Sequence, residues 1–256
     1  MKEIHDFTVT RRTQFGAHYV ALELQHSGTM LPVAPGQFAE VLVEGNRDVM
    51  LRRPISIHDV DAAHNSLKLL IQLVGSGTRQ LATLQPGDKL NMVYPLGHGF
   101  STGAGRHPLL VGGGAGIAPL LYLAKSLHAA GVDCTILLGG RTADLIPARD
   151  DFEPYGRLLV ATDDGSLGHK GLVVSHPAFQ EEYDMMFTCG PTPMMKAVAR
   201  SAAERGIRCE VSLENMMACG LGACLCCVTD TDNGHKCVCK EGPVFDISTM
   251  KKWYQC

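Results

Sequence analysis

Seven of the chain's ten cysteines lie between Cys209 and Cys239. Cys219, Cys224, Cys227, Cys237 and Cys239 stand in a glycine-rich, weakly hydrophobic run that ends KCVCKEGPVF, with Cys226 directly before Cys227. Spacings as tight as those in ACGLGACLCC and CVC let thiolates converge on one small centre. Soft sulfur donors suit either a closed zinc tetrahedron or an iron-sulfur cluster. Spacing alone leaves that choice open, and it is nearly neutral between Cys237 and Cys239. Cys134 and Cys209 lie in apolar, strand-like surroundings and are expected to be small buried hydrophobes. The terminal Cys256 is expected to be free.

A second constellation is LVGGGAGIAPL, residues 110–120, where Gly112, Gly113, Gly114 and Gly116 stand between a strand pattern and a helix pattern. Glycines there let a phosphate or a nicotinamide approach backbone N–H groups, although a tight strand-to-helix turn needs glycine for steric reasons alone. Pro119 falls within the first helical turn, where a missing N–H costs little. No acidic residue marks a clear strand end about twenty residues on, which argues against an ordinary dinucleotide fingerprint. RRPIS, residues 52–56, offers a rigid guanidinium fork in Arg53, a pinned backbone at Pro54 and a hydrogen-bonding hydroxyl in Ser56. By itself it reads equally as an edge strand with a solvent-facing charge. Cys189, in CGPTPMM, has no local histidine or acid to activate it as a nucleophile. In TDDGSLGHKG, Asp163, Asp164 and Gly165 suffice to make a turn.

These residues must be held by two kinds of scaffold. The first hundred residues carry short β-prone runs, HDFTVTRRTQF, HYVALELQH, GQFAEVLVE, SLKLLIQLV and DKLNMVYPL, separated by PG, EGN, HNS and PGD turn signals. That spacing predicts a small antiparallel barrel. One short helix is expected after Gly77, with Thr78 as N-cap and Pro86-Gly87 as its end. From Arg106 the pattern alternates between strand and helix, which predicts a parallel sheet with helices on its faces. The helix over 192–205 carries Met194, Met195, Val198 and Ala202 at helical spacing, as core residues would be. RCEVSL is the last strand expected. Residues 215–247 have too little apolar material for a core of their own, so a metal centre would supply folding energy there.

Composition narrows the function classes. A hydrophobic fraction of 45% with 19% charged residues describes a folded chain rather than a disordered one. A formal net charge of -3 provides no positive field for nucleic acid, and no basic stretch interleaved with aromatics offers a groove for it. The first residues lack the apolar run of about 7 to 15 residues of a secretory signal, and no apolar run has membrane-spanning length. A cytoplasmic protein with no membrane association is therefore expected, in a compartment where cysteines serve metals or catalysis rather than disulfides.

Taken in order, RRPIS, GSGT, GGGAGIAP and CGPTPMM resemble the ferredoxin-NADP reductase superfamily over nearly the whole chain. EVSLENMMACGLGACLCCVTDTDNGHKCVCKEGPVF closely resembles the iron-sulfur segment of the electron-transfer subunits of NAD-dependent dihydroorotate dehydrogenases. The resemblance implies an antiparallel β-barrel FAD domain over 1–102, an α/β parallel-sheet NAD-binding domain over 103–212 and a small [2Fe-2S] module over 213–256. It implies FAD contacts from Arg53, Pro54, Ile55, Ser56, Ile71, Leu73, Gly77 and Thr78, with Arg53 on the pyrophosphate and Ser56 near the reactive flavin edge. Nicotinamide contacts are implied for Gly114, Gly116, Pro119, Cys189, Gly190 and Pro191, with Ser56 and Cys189 along the redox path and no side chain in an acid-base role. The implied cluster ligands are Cys219, Cys224, Cys227 and Cys239. Cys226 and Cys237 depart from the family's pattern and have no assigned role. The implied activity passes electrons from the FMN of a dihydroorotate dehydrogenase catalytic subunit, through [2Fe-2S] and FAD, to NAD+, in pyrimidine biosynthesis and in a heterotetramer of two plus two. Electron-transfer subunits of sulfhydrogenases or of NADH-dependent ferredoxin-NADP reductases share this layout. A zinc-stabilised binding protein without redox work is the alternative of a different class. NAD is implied over NADP, although Arg141 in GGRTAD would also suit a 2'-phosphate.

Overall fold

The computed structural model describes residues 2–103 and 105–255; Cys256 lies outside them. Six strands close an antiparallel barrel: β1 (Glu3–Phe15), β2 (Tyr19–Gln25), β3 (Phe38–Val41), β4 (Arg53–Asp61), β5 (Ser66–Gln72) and β6 (Lys89–Leu96), in the order β1-β2-β5-β4-β3-β6. Alternate residues of these runs point inward, so Phe7, Leu22, Leu24, Ile57, Leu69, Ile71, Met92 and Tyr94 fill the barrel. RRPIS becomes the start of β4. Its residues Arg53 to Ser56 pair with β3 alone, because pairing with β5 begins only at Ile57. The other edge of this stretch is therefore open, which tolerates Pro54 and exposes backbone groups to whatever lies alongside.

The helix expected after Gly77 forms slightly earlier and is shorter, α1 (Ser76–Leu81), with Gly75 as its N-cap. Thr78 is not the cap. It occupies the third helical position, and its Oγ1 accepts from the N–H groups of Val74 and Gly75, both at 3.1 Å. A side chain satisfying donors from inside the first turn substitutes for one outside it.

The second half is a seven-stranded sheet in the order β10-β9-β8-β7-β11-β12-β15. It comprises β7 (Pro108–Gly113), β8 (Cys134–Gly140), β9 (Gly156–Thr162), β10 (His169–Lys170), β11 (Met185–Cys189), β12 (Arg208–Ser212) and β15 (Val244–Asp246), with α2 (Ala118–Ala129) and α3 (Thr192–Glu204) packed on it. All pairings are parallel except β12 with β15. β7, β11 and most of β8 are buried, as strands covered on both faces must be.

RCEVSL is thus not the last strand. After β12 the chain forms the cysteine loop, a hairpin of β13 (Val228–Thr231) and β14 (Gly234–Cys237), and a short turn of helix, α4 (Val238–Glu241), before β15 rejoins the sheet and α5 (Lys251–Gln255) packs on α3. The tail has no separate core: Val238, Phe245, Ile247 and Met250 share one apolar cluster with Val111, Met186 and Val211 of the sheet. Among the described residues no helix is long and apolar enough to cross a membrane.

Barrel and sheet are fastened through α2. Buried His58 of β4 donates from Nδ1 to the Ala118 carbonyl at 2.8 Å, Lys125 pairs with Asp59 at 2.8 Å, and Lys68 pairs with Asp151 at 2.5 Å. The His58 contact fixes the first turn of α2, and so the glycine turn before it, against the barrel, while Lys125 holds the helix further along and Asp151 the segment between β8 and β9.

Candidate functional site

Two cavities open along the seam between barrel and sheet. The smaller, about 280 Å³, is walled by Arg53, Pro54, Ile55 and Ser56 of β4, by Leu70 and Gln72 of β5, and by Thr78 at the start of α1. The tail closes it with Ser212 to Asn215, Met217 and Pro243. Gly77 stands behind Arg53: a Cβ at this position would lie 2.9 Å from Arg53 Nε. The N–H groups in the first turn of α1 have no partner in the helical ladder. A guanidinium beside a free strand edge, with an apolar floor, is a donor set that fits a flavin dinucleotide.

Ile71 and Leu73 do not line this cavity. Ile71 is fully buried inside the barrel and Leu73 packs against the same core. The period of two along β5 sends Leu70 and Gln72 to the other side, so they are the residues this strand gives to the site. Phe38, opposite Ser56 across the β3–β4 pair, also belongs to the wall and was not singled out in the sequence.

The larger cavity, about 590 Å³, lies over the C-terminal ends of β7, β8, β9 and β11. Ligands of open parallel sheets bind at those ends. Gly113, Gly114 and Ala115 line one side and Pro191, Pro193 and Met194 the other, while Arg141 and Asp163 stand at the ends of β8 and β9. Met194 is therefore half-buried against the site rather than wholly core, unlike Met195, Val198 and Ala202. The two loops touch through glycine: a Cβ on Gly116 would lie 2.3 Å from the backbone of Cys189 and Gly190, and Gly190 itself has a φ of +141°. Gly116, Gly190 and Pro119 shape this wall from behind without lining it.

Gln72, Ala115 and Glu214 belong to both cavities, so a flavin in one and a nicotinamide in the other would meet there. Glu214 is reached by water through the open cleft, yet protein crowds it closely enough that desolvation raises its carboxyl above the usual range. Burial, followed by the nearby Glu214 charge, pushes the Tyr19 hydroxyl up to about 12. Cys189 is buried and lines neither cavity. Its thiol faces Glu214 at 3.7 Å and is held well above the ordinary thiol range by burial and by that carboxylate, so it is no nucleophile. No local pattern distinguished Gln72 or Glu214 in the sequence.

The cysteine loop borders the smaller cavity at Met217. Among the described residues no three metal-binding side chains are grouped at ligating distance. The donors for sulfur are nevertheless in place: Gly222 N–H points at Cys239 Sγ (3.1 Å), Leu221 N–H at Cys219 Sγ and Cys239 N–H at Cys227 Sγ (both 3.4 Å). Desolvation works against a charged Cys219, but the N–H groups of Leu221 and Cys224 and the Cys224 thiol outweigh it and bring its pKa down to about 6. Hydrogen bonds to sulfur are a means by which iron-sulfur sites are stabilised and tuned, so this loop fits a thiolate-held cluster. Cys226 is exposed, and the Cys237 thiol is 3.9 Å from the Gly222 carbonyl. Cys134 and Cys209 are buried, as expected.

A family model described as the iron-sulfur cluster binding domain of dihydroorotate dehydrogenase B matches residues 214–251. The dihydroorotate dehydrogenase B (NAD(+)) electron transfer subunit of Fusobacterium nucleatum is 35% identical over 97% of this chain and 99% of its own. Its counterpart from Bacillus caldolyticus is 40% identical over 82% of this chain and 84% of its own. The chain belongs to this family of electron transfer subunits. Its cofactors are accordingly FAD, an iron-sulfur cluster and NAD. Among solved structures, the NADH-dependent reduced ferredoxin-NADP oxidoreductase is similar with a TM-score of 0.84 and 30% identity over 98% of this chain and 93% of that one. The ferredoxin reductase of carbazole 1,9a-dioxygenase shares the fold, with a TM-score of 0.68 and 21% identity over 80% of this chain and 67% of that one. Membership in the family accounts for a loop of sulfur donors beside two joined cavities.

Proposed function

We propose that this chain carries electrons between NAD and the FMN of a dihydroorotate dehydrogenase catalytic subunit, as one half of a heterotetramer of two plus two. The observation that carries this reading is the shared wall at Gln72, Ala115 and Glu214, with the cysteine loop bordering the smaller cavity at Met217. FAD supplies the exchange between two-electron hydride chemistry and one-electron chemistry, and a [2Fe-2S] cluster the one-electron step. Arg53 holds the flavin phosphates, the open edge of β4 and the Ser56 hydroxyl meet the flavin ring, and Glu214 closes the meeting point from the tail. Gly114 and Pro191 shape the nicotinamide site, with Gly116, Gly190 and Cys189 supporting it from behind.

Cys219, Cys224, Cys227 and Cys239 hold the cluster. The N–H contacts favour this set, since three of the four sulfurs receive one, whereas the Cys237 thiol is directed toward a carbonyl. Residues 1–102, 103–212 and 213–256 then act as flavin, nucleotide and cluster units. Met216, Leu221 and Leu225 are exposed apolar residues on the cluster loop and form the face for the catalytic subunit. Anaerobically purified protein should contain about two irons, two sulfides and one FAD per chain. Zinc without flavin would end the reading. C239S should lose the cluster and C237S retain it; the reverse result would reassign the fourth ligand.

A further inference from the structure

Among the described residues, Glu40 contributes two of the buried side-chain polar atoms that have no hydrogen-bond partner. It lies on β3 and is 1% exposed, and neither carboxyl oxygen has a hydrogen-bond partner among the described residues. Arg52 donates to its backbone carbonyl and to Asn91, not to its carboxyl. A polar side chain sealed without a partner is disfavoured wherever an apolar one would pack, so its surroundings indicate what it meets.

Those surroundings lie between the two redox sites. Across the β3–β4 pair, Phe38 faces Ser56 and Glu40 faces Pro54. Cross-strand partners and residues two apart share one face of a sheet. Phe38, Pro54 and Ser56 line the smaller cavity, so Glu40 continues the same wall one position beyond it. There the cysteine loop lies directly on it: a Cβ on Gly220 would be 2.6 Å from Glu40 Cγ and 3.1 Å from Oε1. Gly220 has a φ of +64° and follows Cys219, so only a glycine turn could come this close.

We infer that Glu40 is a positioning residue of the iron-sulfur site: its carboxyl, enclosed between the flavin wall and the Gly220 turn, is a polar contact through which the barrel, with Leu96 beside it, holds the Cys219 loop and sets how readily the cluster accepts an electron relative to the flavin. This rests on the proposed function above, because it needs both cofactors on either side of Glu40. Hydrogen bonding and burial around the sulfurs are established means of setting such a potential.

The test uses the full chain purified anaerobically with its cofactors, as wild type, Glu40→Leu and Glu40→Gln, with redox titration followed by EPR for the cluster and by absorbance for FAD. Glu40→Leu, which removes the polar contact, is expected to shift the electron partition between FAD and cluster by about tenfold in either direction, equivalent to about 59 mV for one electron. Glu40→Gln, which keeps an oxygen in place, is expected to shift it threefold or less. A leucine variant that loses iron while retaining FAD and normal reduction of FAD by NADH also supports the assignment. A loaded leucine variant with a partition within twofold of wild type overturns it, as does a glutamine variant that shifts as far as leucine, or joint loss of FAD and iron in both variants. Absence of iron from the wild type would instead overturn the proposed function.

Discussion

Gly77→Ala separates binding from stability because the two should move in opposite directions. Gly77 lies within α1, where alanine is favoured over glycine by up to about 1 kcal/mol. Its missing Cβ, however, leaves the space into which the Arg53 guanidinium folds: the new methyl would stand 2.9 Å from Nε and 3.3 Å from Val49 Cγ1. Arg53 must then swing away, breaking its 2.8 Å bond to the Leu51 carbonyl and leaving the phosphate position. Loss of a charge-assisted hydrogen bond costs about 1.5–3 kcal/mol, which weakens FAD binding roughly 10- to 150-fold. Fluorescence titration of deflavinated protein with FAD measures the affinity, and thermal denaturation of the deflavinated protein without added FAD should show an unchanged or higher Tm. In a double-mutant cycle, G77A added to R53A should cost almost nothing further. Wild-type FAD affinity in G77A would refute the reasoning, as would an affinity loss accompanied by a fall in Tm.

Gly116→Ala forces a methyl to within 2.3 Å of the Cys189–Gly190 backbone, so the two nucleotide loops must separate; kcat/KM for NADH should fall on the order of tenfold to a hundredfold with FAD content unchanged, measured by NADH-ferricyanide kinetics. Burial holds the His58 imidazole at about 4, below its ordinary 6.5, because Nε2 is enclosed without a partner. The unfolded chain binds the extra proton first, so about 3 kcal/mol of stability present above pH 6.5 is lost as pH falls to about 4. Urea denaturation across that window should show the slope in wild type and a flatter one in His58→Gln. Asp163 places a carboxylate beside Arg141 at the end of the larger cavity, where a 2'-phosphate would be repelled; Asp163→Ser should narrow the preference for NADH over NADPH by about tenfold, read from the ratio of kcat/KM values.

Local chemistry made much of this protein legible before folding. Period-two runs with turn signals specified the barrel, strand-glycine-helix alternation specified the parallel sheet, and dense cysteines with little apolar material marked the cluster segment. Those signals depend on residues close together in the chain, and there the structure agrees, with small shifts such as Thr78 capping from inside α1 rather than before it. The face of β5 was misjudged although its alternation was available: Leu70 and Gln72 turn to the cavity while Ile71 fills the barrel.

What no local pattern contained were the relations between distant segments. The return of β15 beside β12 depends on thirty-one intervening residues that carry the cysteine loop. Glu214 enters both cavities only because the chain leaving β12 crosses the seam, and Glu40 is sealed only because the Gly220 turn lands on the barrel. Sequence by itself determined the barrel strands, the strand-helix alternation of the sheet and which side chains can do chemistry, since propensity, turn geometry and donor type act over a few residues; the hairpin, β15 and α5 of the tail were not among its elements. Tertiary structure alone decided which of those side chains meet, because burial and proximity arise only when the barrel, sheet and tail pack together.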